Sequence, residues 1–292
     1  MRQFLILSID GLTNGLVYAA VALALVMIWR ATRVINYAQG AMAMFTTYVA
    51  LFVIDHGFPF WGGFAVALAA GLAIGAATER ILVRPVESRP PLNAVILSLG
   101  VLIFLEALAP MLFGGQVQSF PAPFSRVGLT AGATQLYVSP FDIFTVAVVL
   151  GSMALLLLLF RATRIGLRMR AAAFNPEIAR ILGVRVGRML TLGWALAAVL
   201  GALAGLLAAP VLFLYPSNMD EILVFGFTGA VIGGLESPVG AVVGAVVVGL
   251  ALSYVSGYLG SDLAPLGGLV ILIGVLMVRP QGLFSLARQR QV

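Results

Sequence analysis

The chain has 292 residues, 61% hydrophobic and only 10% charged, where soluble proteins run near half apolar and about a quarter charged. Its seventeen basic residues, all arginine, face eleven acids for a net charge of +6, beside one histidine and no cysteine. Without Cys there is no disulfide, thiolate nucleophile or zinc finger, a single His56 builds no multi-histidine metal site, and without Lys there is neither a Walker A phosphate loop nor a Schiff base.

Uncharged stretches of about 20 residues are long enough to cross the hydrocarbon core as helices. Nine are read in chain order: Gly11 to Trp29, Val34 to Ile54, Phe60 to Thr78, Asn93 to Phe113, Phe141 to Phe160, Met189 to Leu214, Ile222 to Leu235, Val239 to Leu259 and Leu266 to Val278. They predict an all-α integral membrane protein, a polytopic helical bundle of eight or nine transmembrane segments forming one domain over 1–292. The seventh and ninth are short for a crossing and are expected as half-helices or re-entrant pieces packed inside protein. Arg30 and Arg33 follow the first apolar run and only Arg2 precedes it, the reverse of a signal peptide, so this segment is expected to stay as an anchor.

Basic loops are retained on the cytoplasmic side. Connections after spans one, three, five and nine carry fifteen of the seventeen arginines, seven of them between Arg161 and Arg188. This predicts an external N-terminus and an internal C-terminus in an inner membrane. An incomplete second span would flip the N-terminus inward and leave eight crossings. Positive charge placed this way suits anionic lipid and not nucleic acid. Gly114 to Pro140, rich in Pro, Ser, Thr and Gly, is expected as an irregular external loop.

Glycine pairs four residues apart, Gly71 and Gly75, Gly201 and Gly205, Gly240 and Gly244, predict close helix packing. Between Gly226 and Gly244 further glycines with Ser237 and Pro238 predict a chain reversal at membrane depth. Polar groups inside apolar spans are costly unless they face protein or water. Asn36, Gln39, Gly40 and Thr47 therefore form a candidate translocation pathway along the second span, with interhelical hydrogen bonding as the alternative. Thr13 and Asn14 sit early in the first span. Glu106 is expected to have a structural role, paired with an arginine or held as a protonated hydrogen-bond donor. His56, beside Asp55, reads as a solvated helix end.

The internal loop holds a well-marked short helix. Asn175 supplies a side-chain cap, Pro176 fits the first helical position, Glu177 brings an acid to the positive first turn, and Gly183 ends the helix. Ile178, Ile181 and Leu182 fall on one face, with Ala179 between them. So short a helix is marginal in water and needs a surface to dock on, either lipid headgroups or a partner's hydrophobic groove.

Glu177-Ile-Ala179 followed by Gly183 resembles the EAA-and-glycine loop of bacterial ABC import permeases. The surroundings from Thr163-Arg-Ile-Gly166 to Gly187 resemble the version found in branched-chain amino-acid permeases. Gly11-Leu-Thr-Asn-Gly15 with Tyr18, Val34-Ile-Asn-Tyr-Ala-Gln-Gly40, Arg84-Pro85, Gly201-Ala-Leu-Ala-Gly205, Gly233-Gly-Leu with Pro238, and Arg279-Pro-Gln-Gly-Leu-Phe284 resemble the same family in order. Ala41 and Glu236 depart from its pattern. The resemblance implies a non-catalytic permease subunit, without cofactor or metal, in an importer for leucine, isoleucine and valine. Its partners would be two cytoplasmic ABC ATPase subunits, a second related permease subunit, a periplasmic substrate-binding protein and the lipid bilayer. Asn175 to Gly183 would be the helix coupled to the ATPases. A proton-coupled secondary carrier and an ABC permease for amides or urea are the rival readings.

Overall fold

The computed structural model describes residues 2–86, 90–131, 134–135 and 138–278. Arg89, Arg279, Arg288, Arg290 and the block ending at Phe284 lie outside them. In chain order the helices are α1 (Arg2–Thr32), α2 (Gln39–Asp55), α3 (Phe60–Ala77), α4 (Pro91–Phe113), α5 (Pro140–Ala162), α6 (Arg164–Phe174), α7 (Pro176–Ile181), α8 (Val186–Leu212), α9 (Asp220–Gly233), α10 (Pro238–Tyr258) and α11 (Ala264–Val278). Each of the nine expected apolar segments contains a helix. Among the described residues, α1, α3 with its extension to Val86, α4, α5, α8 and α10 are the six long and apolar enough to cross a membrane. The shorter α2 and α11 are also apolar.

Helix α1 has no polar face from Leu16 to Ile28, and a helix apolar all round belongs inside. It is the buried axis of the bundle, enclosed by α8, α9 and α10. Its first half runs antiparallel to the end of α10, where Ser253 Oγ donates to Leu7 O at 2.7 Å. Its last turn lies at the start of α8, with Ala31 against Gly193. One end of the bundle therefore gathers Arg30, whose guanidinium sits 4.7 Å from the Phe160 ring centroid, Arg33, Arg84 and the α6–α7 segment. Arg126 is at the other end, donating to Pro210 O.

The glycine pairs pack as expected. Gly71 and Gly75 meet Ala198 and Trp194, Gly201 and Gly205 meet α2, and Gly244 meets the backbone of Gly229. The expected reversal falls between Gly233 and Pro238, where Ser237 Oγ accepts from Gly240 N at 3.0 Å to start α10. It lies at the arginine end and not mid-bundle, because its Glu236 pairs with Arg33.

The second apolar segment differs from expectation. Its helix begins at Gln39 and not at Val34. Arg33 takes φ +59, ending α1, and Asn36 Oδ1 then accepts from Ala38 N at 3.1 Å, a local bond that competes with helix. After α8, Phe213 takes φ +63; these two are the non-glycine positive φ values among the described residues. Each precedes a helix that starts partway up the bundle. Gln39 meets Ala197, eleven residues into α8 or about 16 Å along it, and Gly40 meets Met219 and Leu223 at the start of α9. From there α2 runs away from the arginine end and α9 toward it.

The Gly114 to Pro140 loop contains a two-residue antiparallel ladder, Thr130–Ala131 with Thr134–Gln135, which its composition did not announce. Gln118 and Leu214 exchange backbone hydrogen bonds of 2.9 and 2.8 Å, tying this loop to the link between α8 and α9. A capping box starts α5, with Ser139 Oγ accepting from Asp142 N at 3.1 Å and Asp142 Oδ2 accepting from Ser139 N at 2.8 Å.

Candidate functional site

At the arginine end the chain between α5 and α8 folds as two short helices. Helix α6 is additional to the single helix expected, and its signal was Thr163, whose Oγ1 accepts from Gly166 N at 3.0 Å. In α7 the cap is Asn175, whose Oδ1 accepts from Ile178 N at 3.0 Å, with Pro176 in the first turn. The Glu177 side chain is exposed and makes no hydrogen bond among the described residues, so it favours the helix through its charge near the positive end alone. Gly183 sits at φ +79, a left-handed conformation that directs the chain back toward α8.

The two faces of α7 differ sharply. Ala179 is 2% exposed and packs with Ala172, Val186 and Leu190, fastening α7 to α6 and α8. Ala179 thus faces away from the other apolar residues named from the sequence. Ile178, Ile181 and Leu182 are 54, 85 and 74% exposed, and Phe174, at the end of α6, is 82% exposed. Among the described residues nothing covers these four large apolar side chains, which make up the ridge of this segment. Phe174 was not anticipated; the signal available was an aromatic residue immediately before a helix cap.

A buried polar clamp holds the ridge's foundation. At Thr78–Val83 the end of α3 widens to a π-helical turn, and Arg84 N–H donates to Glu79 O five residues back. That spacing brings together two side chains that an α-helix would set apart. Arg84 binds Glu79 with both arms, Nε at 3.1 Å and Nη2 at 2.8 Å, and Nη2 also donates to Gly187 O at 2.8 Å. Thr191 Oγ1 lies 2.7 Å from Glu79 Oε2. Glu79 is 1% exposed and is paired by Arg84, itself 36% exposed, which joins α3 to the first turns of α8.

Asn36, Gln39 and Thr47 are fully buried. Asn36 Nδ2 donates to Gln39 Oε1 at 3.2 Å, Gln39 Nε2 donates to Ala197 O at 2.9 Å, and Thr47 Oγ1 donates to Ala43 O at 2.8 Å. The crossing is close because α8 presents glycine: a Cβ on Gly201 would overlap the Gln39 amide, and one on Gly205 would stand 2.7 Å from Ala43 O. Thr47 thus lies with Gln39 and Gly40 along the crossing, while Asn36 reaches it from the preceding turn. Glu106 faces a second carboxyl, Asp220 of α9, and not an arginine.

The profile of the family described as branched-chain amino acid transport system / permease component matches residues 7–279. The chain belongs to this family. It is 29% identical over 293 residues to the high-affinity branched-chain amino acid permease LivH of Escherichia coli K12, covering 94% of each chain. It is 25% identical to BraD of Pseudomonas aeruginosa PAO1, covering 95% of this chain and 94% of BraD. Its fold resembles that of a metal-chelate type ABC transporter solved in an inward-facing conformation, with a TM-score of 0.51, 19% identity, and 93% of this chain and 86% of the other covered. A permease of this family with six long apolar helices is a multi-pass protein of the inner membrane.

Proposed function

We propose that this permease forms the membrane path of an ATP-driven importer for branched-chain and related hydrophobic amino acids. The arginine end faces the cytoplasm, α1 enters from outside, and α2, α9 and α11 complete a bundle of eight or nine membrane segments, α9 being a half-helix. The partners are two ATPases, a second related permease and a periplasmic solute receptor. The observation that carries this reading is the ridge of Phe174, Ile178, Ile181 and Leu182. Uncovered apolar side chains on a capped, anchored helix suit a partner's groove, and α7 would be the coupling helix seated in an ATPase.

Nucleotide-driven closure of the ATPases would push on α7, and the Glu79–Arg84 clamp would pass that motion to α3 and α8 as one body. The crossing of α2 over α8 is then the seam that opens. Asn36, Gln39, Gly40 and Thr47 would line the route when the seam parts, their hydrogen bonds exchanged for contacts with solute and water. The test is uptake of leucine into vesicles holding the assembled transporter. Uptake should require ATP and receptor. Uptake that follows a proton gradient after the ATPases are removed would establish a secondary carrier instead.

A further inference from the structure

At the end opposite the arginines a cavity of about 670 Å³ opens among the first half of α1, the start of α5, the ends of α8 and α10, and the first turn of α9. That volume falls within the ~300–1,000 Å³ typical of small-molecule pockets. Its polar lining includes Asp10, Thr13 and Asn14 of α1, Asp142, Glu221 and Arg126. Asp10, Thr13, Asn14 and Tyr18 share one stripe of α1, spaced by three or four residues. Asp142 lies within electrostatic reach of Asp10 and Glu221 within reach of Tyr18, so the carboxylates descend about 12 Å along α1.

This stripe adjoins the buried, apolar half of α1 that runs from Leu16 to Ile28. Asp10, at the outer edge of the first apolar run, and Asn14, within it, are both exposed, and a polar side chain within the span is costly where it faces lipid. Such a face looks onto water or solute. Thr13, Asn14 and Glu221 have no hydrogen-bond partner among the described residues, which leaves their donors and acceptors for something that enters. Three carboxylates against one guanidinium give the wall a net negative charge. Phe141, Phe225 and Leu252 supply an apolar side.

We infer that this cavity is the outer vestibule of the transport path and that it takes a zwitterionic amino acid with a compact apolar side chain. Asp10 and Asp142 attract the ammonium at the mouth and Glu221 receives it below. The free N–H groups of Arg126 take the carboxylate, and the side chain rests on Phe225 and Leu252. The start of α9 separates Glu221 from Gly40, so a solute leaving the vestibule meets the crossing of α2 and α8 next. This rests on the reading of the chain as an amino-acid permease and names where the solute is held.

Because the chain has no cysteine, a single introduced one reports on the vestibule. Ser256→Cys, with Thr13→Cys as a second site, would be placed in the assembled transporter and treated with a trimethylammonium-bearing and a sulfonate-bearing methanethiosulfonate. Normalised to the ratio of their rates with a free thiol in water, the cationic reagent should be favoured about tenfold over the anionic one. Glu221→Gln should shrink that ratio, and millimolar leucine should slow labelling. Glu221→Gln should also raise the half-saturating leucine level for uptake while the ATPases stay bound. A normalised ratio of one or below, or no reaction at either position, would overturn the vestibule; the last would mean that lipid or the second subunit covers this face. If the wild-type chain binds no ATPase, the importer reading fails by itself, whatever the labelling shows.

Discussion

At the end of α6 and along α7 the bundle leaves Phe174, Ile178, Ile181 and Leu182 uncovered, whereas at the crossing of α2 over α8 it buries Asn36, Gln39 and Thr47. Each region holds side chains in the environment that ordinarily costs most for them, and the costs are met differently. The buried amides and hydroxyl bond to one another and to helix carbonyls, so that region is complete within the chain. The ridge finds no cover among the described residues, and α7 is held by its other face, through Ala179. Substitutions at the crossing should therefore change the stability of this chain. Substitutions on the ridge should change what it binds.

The largest effect is expected below the ridge. Arg84→Ala leaves the buried Glu79 carboxylate unpaired, a loss of about 2–4 kcal/mol, below that of a fully buried ion pair because the Arg84 side chain is 36% exposed. Thermal unfolding of the purified complex should show a steep fall, and Arg84→Ala combined with Glu79→Gln should recover part of it. A melting temperature equal to wild type for Arg84→Ala would mean that water reaches Glu79. At the crossing, Gln39→Leu removes the donor to Ala197 O and the partner of Asn36, costing about 1–3 kcal/mol. The same melt should register it, with ATPase affinity unchanged. A loss of ATPase affinity from Gln39→Leu would erase the distinction between the two regions. Smaller again, Gly183→Val forces a β-branched residue to φ +79, at about 1–2 kcal/mol, without a clash, since nothing lies within 4 Å of its Cβ position. ATPase binding should survive in part while uptake uncouples from hydrolysis, read as leucine moved per ATP consumed.

The ridge was legible in the sequence because its signals are local: a cap, a proline, a glycine and apolar residues three and four apart within nine positions. The facing of Ala179 and the arrival of Phe174 depend on α6, whose packing on α8 no local pattern encodes. The nine apolar segments were likewise visible as runs, and among the described residues Arg30, Arg33, Arg84 and the α6–α7 segment gather at one end, as the alternation of basic loops predicted. The start of α2 was not legible, since Val34 and Ile35 continue the apolar run and only the turn at Asn36 interrupts it. Glu79 and Arg84 were hidden by their spacing of five, which pairs only in a π-helical turn. The Glu106 partner comes from Asp220, more than a hundred residues away, where composition offered an arginine as readily.

The central claim is that α7 is an interaction surface supplied ready-made by a stable bundle. It is tested most directly by measuring the affinity of the purified ATPase for the permease carrying Ile181→Ala with Leu182→Ala, alongside the melting temperature of the permease alone. Both side chains are exposed, so the melt should shift by no more than about 0.5 kcal/mol in stability. Each truncated anchor is worth about 2 kcal/mol once buried in a partner, so affinity should fall at least tenfold. Wild-type ATPase affinity in this double variant would contradict the claim and place the ridge against the lipid surface.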